Sequence, residues 1–361
     1  MSGADAATGA WLAHIAPDQQ LAAASATHAA LWSWGLGWAA VVLVSILTLK
    51  SGLLPRFSRA VHRPWLAGAA LAAAFAGLLL IVTAPFALVR GEPPAELIGT
   101  DALAILAAAV IAPVLFAVAR LRPKSWWALC GPAAAVLVFA WGWGPYLAGG
   151  PPLPPAPEGP VKAALAQLIA RTHLPATTIE LAPASGFDAD VTGGLGHARI
   201  SVTRDALSAP PAEVEAYVGH LMGHYVHRDV MSLSLLLGAL VFAGAAAIAG
   251  GFAPLARLLG AKGLDHPSDP AGLPVVAIIL SCVVAAGTPV LAGFGRAVNV
   301  QADQYALDQA REPDGLAAVL IRTWDHKAIQ PSAAEEALFY GHPPLASRIR
   351  HAMAWKQAAE R

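Results

Sequence analysis

Six apolar stretches, at about 30–49, 65–89, 100–119, 126–148, 232–255 and 273–294, dominate the chain. An α-helix needs about 20 residues to cross a bilayer, and each stretch is near or above that length. Of the 361 residues, 57% are hydrophobic and 13% charged, whereas soluble domains carry about a quarter charged. The apolar residues are gathered in long Ala/Leu/Val/Gly runs rather than spread periodically. An integral membrane protein is the class this implies. Pro85 in the second stretch, and Pro132 and Pro145 in the fourth, predict kinks or broken ends. Trp32, Trp34, Trp65, Trp126, Trp127, Trp141 and Trp143 stand where interface anchors belong.

The formal net charge is zero, which gives no overall basic character for nucleic acid, and that partner class is set aside. Cys130 and Cys282 lie inside apolar runs and read as small hydrophobes, not as a disulfide or thiolate site. Residues 1–28 lack Lys, Arg and a compact apolar core, so no cleavable signal peptide is expected there. They read instead as a loosely held arm. The loop 50–64 carries Lys50, Arg56, Arg59 and Arg63, and the loop 120–125 carries Arg120, Arg122 and Lys124; Arg90 stands alone between them. The positive-inside rule places both basic loops in the cytoplasm and the segment after the fourth span outside.

Residues 149–160 are proline-rich and predict a hinge. Beyond it, 161–173 has an amphipathic helical pattern. Short strands are expected at 177–181 and 198–203, separated by a turn at Gly193, Gly194 and Gly196. Ser208, Pro210 and Pro211 mark a helix start, with Glu213 and Glu215 suited to its positive end. That helix is expected to run on towards the fifth span, carrying His220 and His224. Four residues apart on a helix, two imidazoles stand about 40° apart and one turn along the axis. So placed, two neutral imidazoles can bind one zinc ion; a pair of buried, hydrogen-bonded histidines is the alternative. His227 lies about 10 Å further along the axis and cannot share that ion.

Four segments together carry a family resemblance. They are His220-Leu221-Met222-Gly223-His224-Tyr225; Gly295-Arg296-Ala297-Val298-Asn299-Val300-Gln301-Ala302-Asp303; Asp188-Ala189-Asp190-Val191-Thr192-Gly193 ahead of Arg199-Ile200-Ser201-Val202; and Tyr340-Gly341-His342-Pro343-Pro344 with Arg348 and Trp355-Lys356. In this order they resemble the integral-membrane zinc metallopeptidases of the CAAX prenyl endopeptidase type. The resemblance implies a mainly α, polytopic helical membrane protein of about six spans, with a small α+β metallopeptidase-like domain carrying the metal helix. It divides the chain into an N-terminal arm with four spans (1–149), a hinge and metallopeptidase-like domain (150–231), two spans (232–295) and a C-terminal helical part completing the site (296–361). It implies zinc held by His220, His224 and the residue at 299. It gives Asp303 a supporting role towards the histidines and places His342, Arg348 and Asp188 near the substrate.

The departures from the family pattern fall on its mechanistic positions. Where the family has a general-base glutamate, this chain has Leu221, which cannot accept a proton. Where the family has a ligand glutamate, Asn299 offers a neutral carbonyl oxygen, and a family asparagine is replaced by Asp188. The expectation is a metallopeptidase homologue with lost or strongly reduced proteolysis. Its partners are membrane lipid and a hydrophobic or membrane-associated polypeptide, in a bacterial cytoplasmic membrane. Two other readings stand beside it: an active zinc endopeptidase using a displaced carboxylate, and a non-enzymatic membrane protein that binds hydrophobic polypeptides.

Overall fold

In the computed structural model, the described residues are 3–60, 63–148, 150–172, 174, 177–193 and 197–361. The chain begins with α1 (Gly3–Leu12), α2 (Pro17–Ser51), α3 (Leu53–Ala60), α4 (Pro64–Val89), α5 (Pro94–Leu121) and α6 (Trp126–Ala148). There follow α7 (Pro160–Thr172), β1 (Thr178–Leu181), β2 (Ala189–Thr192), β3 (Arg199–Val202), α8 (Arg204–Leu207) and α9 (Pro211–His227). The last elements are α10 (Asp229–Leu258), a 3-10 turn (Pro270–Gly272), α11 (Leu273–Ala310), α12 (Pro313–Arg322), α13 (Ala333–Phe339) and α14 (Leu345–Ala359).

Among the described residues, six helices are long and apolar enough to cross a membrane: α2, α4, α5, α6, α10 and α11. Large apolar side chains along them stand exposed, among them Ile81, Leu103, Leu137 and Val284, as lipid-facing residues do. The helices stay continuous through Pro85, Pro132 and Pro145, so the expected broken ends do not occur. Trp32, Trp65 and Trp141 are exposed as anchors should be, but Trp126 is buried in an apolar cluster with Leu71 and Phe252.

Two compact units emerge, one of Met1–Thr27, Phe139–Leu236 and Pro289–Arg361, the other of His28–Val138 and Leu237–Thr288. In the first, β1, β3 and β2 form a sheet in that order, with β1 parallel and β2 antiparallel to β3. Leu165 and Leu168 of α7, Ile200 and Val202 of β3, and Val218 and Met222 of α9 make its dry core. The strand β2 has no counterpart in the sequence expectations. Its alternation is real, with Ala189 and Val191 inward, but two aspartates on the outward face hide it from β propensity.

Three further expectations need correction. Residues 3–12 are not a loose arm. They form α1, which packs on α12 and α14 through Ala4, and Asp5 pairs with Arg350 at 2.8 Å. The proline-rich segment is not a free hinge over its described part, although Gly149 lies outside the described residues. Pro155 bridges Glu180 of β1, Leu181 N–H donates to Pro154 O at 2.8 Å, and Ala156 N–H donates to Ile179 O at 3.0 Å. Arg199 then donates to Gly150 O at 3.0 Å and to Pro151 O at 2.8 Å. Proline has no N–H to donate, so the strap covers the β1 edge mainly by giving carbonyls, to Leu181 N–H and to Arg199. Finally, α9 does not run on into the fifth span. Arg228 adopts a left-handed conformation (φ 58°) and ends it, and α10 starts afresh at Asp229. The expected helix of 161–173 is present as α7; His173, Gly194 and Gly196 lie outside the described residues.

Candidate metal centre

Helix α9 reaches its partner α11 through small residues. A Cβ at Gly223 would stand 2.8 Å from Ala302 Cα, and one at Gly219 would stand 3.3 Å from Ala306 Cα. Only glycine allows so close an approach. It sets His220 of α9 against Asp303 of α11. The sixth apolar stretch was expected to end at 294, but α11 continues without a break to Ala310, so Asn299 and Asp303 ride on the same rigid helix.

His220 Nδ1 donates to Asp303 Oδ1 at 2.8 Å, and His224 Nδ1 donates to Asp229 Oδ2 at 2.7 Å. An ionised carboxylate only accepts, so Nδ1 of each ring is the donor, which in a neutral imidazole leaves the lone pair on Nε2. Those two Nε2 atoms face each other at 3.1 Å. Two lone pairs at that distance repel unless a shared proton or a metal cation lies between them. Burial lowers the His220 pKa, against the pull of Asp303 that raises it. The carboxylate of Asp303 sits on the Nδ1 side of His220, and Arg348 holds it with two bonds of 2.7 Å from Nε and Nη2. Asp303 therefore orients the ring and Arg348 orients Asp303.

Asn299 is buried. Its Nδ2 donates to Gly295 O at 2.9 Å and to Gly341 O at 3.2 Å. Those two acceptors fix which way the amide points. Its Oδ1 is buried and has no partner among the described residues, a costly state for a polar atom. The segment bearing Gly341 and His342 is pinned by Arg296, which donates to Glu336 O at 2.6 Å and Tyr340 O at 2.9 Å.

A cleft of about 310 Å³ opens on this cluster, lined in part by Tyr217, His220, Leu221, His224, His342 and Arg348. Its one acidic lining residue is Asp325, paired with Lys327 at 2.7 Å. His342 opens to the cleft, yet crowding around its ring and then the nearby Arg348 push its pKa down to about 4. Asp188 is not in the lining; it joins the site through Tyr217, whose hydroxyl donates to its Oδ1 at 3.2 Å. His227 instead stands edge-on to Tyr305, away from the pair.

The outer edge of β2 is closed by its own side chains. Thr203 N–H donates to Asp188 O, so the backbone of residue 188 faces β3 and the amides of 189, 191 and 193 face outward. Ala189 N–H donates to Asp188 Oδ1 at 2.9 Å, the Val191 amide reaches the Asp190 carboxylate, and Gly193 N–H donates to Tyr146 O at 3.3 Å. Burial raises the Asp190 pKa.

Asp229 is the site residue that sequence reasoning missed. It stands five residues after His224, off the helix face, and reaches the ring only because Arg228 turns the chain left-handed. The nearby acids Glu213 and Glu215 are engaged elsewhere, on Arg322 and Arg171.

The model of peptidase family M48 matches residues 155–356. The chain belongs to that family. No curated protein sequence matched significantly. Among solved structures, Ste24p of S. mikatae is similar over 78% of this chain and 75% of its own, with a TM-score of 0.56 and 17% identity. The M48 chain described here thus has a Ste24p-like fold with six candidate membrane helices, and it is an integral membrane protein. The M48 match begins at the proline-rich strap and ends at Lys356, so it takes in every residue of the cluster.

Proposed function

We propose that this chain is a membrane-embedded zinc metalloendopeptidase homologue that keeps a metal site and has lost, or strongly reduced, its proteolysis. The observation that carries the reading is Leu221. Its side chain lines the cleft beside His220 and His224, where the proton-transferring carboxylate is required. The remaining acid of the lining, Asp325, is occupied by Lys327.

The donor set fits a zinc ion. His220 and His224 would hold it through Nε2, at a separation (3.1 Å) suited to Zn–N bonds of about 2.0–2.1 Å. The partnerless Oδ1 of Asn299 is the third candidate. Asp303 and Asp229 supply negative charge from behind the two rings. A bound zinc ion supplies Lewis-acid polarisation of a peptide carbonyl and activation of water. Cleavage also needs a group that moves a proton, and Leu221 has none. Losing a general base forgoes about 10²–10⁴-fold in rate. A neutral amide in place of a third, charged ligand weakens the grip on the ion further. His342, open to the cleft, is placed to touch a bound polypeptide; Arg348 is spent on Asp303 and acts by positioning. The occupied outward amides of β2 argue in the same direction, because an extended substrate finds no free donor there among the described residues.

The client in this reading is a hydrophobic or membrane-associated polypeptide, held in the cleft rather than cut, in a bacterial cytoplasmic membrane. The test is metal analysis and a peptidase assay on the purified full chain. Stoichiometric zinc that disappears in His220→Ala, with no chelator-sensitive cleavage, is the expected result. Rapid zinc-dependent cleavage by the unaltered chain, abolished in His220→Ala, would overturn it.

A further inference from the structure

One end of the second compact unit gathers exposed cations. Arg56 lies on α3, and Lys50 and Arg63 flank it. Arg120, Arg122 and Lys124 lie at the turn between α5 and α6, and Arg257 and Lys262 at the turn between α10 and α11. The three segments meet. Arg120 Nε donates to Ser268 O at 3.3 Å, His266 Nε2 lies 2.9 Å from Pro123 O, and α3 packs on the 3-10 turn. The acids on them are Asp265 and Asp269, and Asp269 gives a carboxylate oxygen to Ala271 N–H at 2.9 Å. Among the described residues, no ion pair engages any of these cations. In the first unit pairing is common, as in Arg199–Glu180 at 2.5 Å, Arg322–Glu213 at 2.7 Å and Lys356–Asp314 at 2.5 Å. Here eight cations face two acids, Asp265 and Asp269, and among the described residues no ion pair joins them.

Beside these cations lies a cleft of about 380 Å³. Its walls include Leu49, Leu54, Leu264 and Ala271, with Thr48, Lys262 and Asp269 as polar members, and one oxygen of the Asp269 carboxylate accepts from Ala271 N–H. Lys50 and Arg56 are the sequence neighbours of the lining residues Leu49 and Pro55. The helix α3 over it turns Leu53 and Phe57 outward, 61% and 45% exposed, on the same short element as Arg56. An apolar edge beside a cationic one suits a helix lying in the plane of the membrane interface. The cleft sits at the ends of apolar helices α2 and α10, where lipid headgroups are met.

We propose that this cleft binds the headgroup of an anionic phospholipid, with Lys262 against the phosphate and the leucine wall against the first methylenes. An ammonium is a compact donor suited to phosphate oxygens. The surrounding unpaired cations repel one another until an anion arrives, which selects a net-negative lipid over a zwitterionic one. The positive-inside rule puts the same end at the cytoplasmic leaflet, the more negative one. This inference is independent of the metal centre.

The experiment uses the full chain in detergent micelles, titrated with phosphatidylglycerol, phosphatidylcholine or inorganic phosphate. Retained lipid is read by native mass spectrometry and the unfolding temperature is followed in parallel. Phosphatidylglycerol should be retained and raise the unfolding temperature, and the other two should do neither. Lys262→Gln and Arg56→Gln should each weaken retention about fivefold, whereas Arg204→Gln, on α8 of the first unit, should leave it unchanged. Equal retention of phosphatidylcholine, equal stabilisation by phosphate alone, or undiminished retention in both Lys262→Gln and Arg56→Gln would overturn the proposal. So would an equal loss in Arg204→Gln, which would mean diffuse attraction without a site.

Discussion

Asp229 and Asp303 do the same work for two different rings, each fixing a proton on Nδ1 and turning Nε2 towards the other histidine. Such supporting partners typically carry about 10–100-fold of a site's metal affinity. Asp229→Asn, which leaves the break at Arg228 in place, should therefore raise the apparent zinc dissociation constant by about that factor in competition with a chelator. The pairing of His220 with His224 was legible in the sequence, because it depends on spacing along a single helix; the reading of Leu221 and Asn299 as departures rests on the family resemblance. Asp229 was not legible. Its contact depends on one left-handed residue, and arginine carries no preference for that conformation. The resemblance singled out Arg348 and Asp303 separately, but their bidentate union spans 45 residues of sequence and only the fold reveals it.

At the scale of elements, the approach of α9 to α11 is what builds the site, and Gly223 controls it. Gly223→Ala places a methyl 2.8 Å from Ala302 Cα, and neither backbone can yield cheaply. Overpacking of this kind costs about 1–3 kcal/mol. The expected outcome is a lower unfolding temperature in detergent together with weaker zinc retention. Ala302 and Gly223 could have been noticed as small residues, but nothing in a single sequence pairs them. The strap over β1 was misread for a related reason. Proline content signals stiffness and says nothing of what the carbonyls meet, and here they meet Arg199. Glu180 locks that arginine at 2.5 Å. Arg199's hydrogen bonds hold the Glu180 carboxyl below its ordinary value of 4.5, against a burial that raises it. A depressed carboxylate stabilises the fold above its ordinary value, and the benefit is lost as pH falls through the lowered one. Hydrogen exchange at Leu181 and Ala156, whose amides join β1 and the strap, should stay slow from neutral pH to about 4.5 and rise relative to the α9 core below it. Arg199→Gln should make the same amides exchange fast already at neutral pH.

For the whole molecule, the six membrane helices were legible from hydropathy alone because lipid imposes length and polarity directly. Loop charge adds an orientation. By the positive-inside rule, the turns bearing Arg120, Arg122, Lys124, Arg257 and Lys262 are expected in the cytoplasm and the segment after the fourth span outside. In a chain with Cys130 and Cys282 replaced by serine, a cysteine at Lys124 should resist an impermeant thiol reagent in intact cells while one at Glu158 reacts; the reverse pattern would invert the topology. The central claim is that two missing acids, rather than a collapsed scaffold, keep this molecule from cutting peptides. The most direct measurement restores them together, Leu221→Glu with Asn299→Glu, and follows hydrolysis of an unstructured polypeptide with zinc present. The account predicts chelator-sensitive cleavage in the double variant and none in the unaltered chain. Zinc-dependent cleavage by the unaltered chain at a similar rate, or a folded, zinc-loaded double variant that still does not cut, would contradict it.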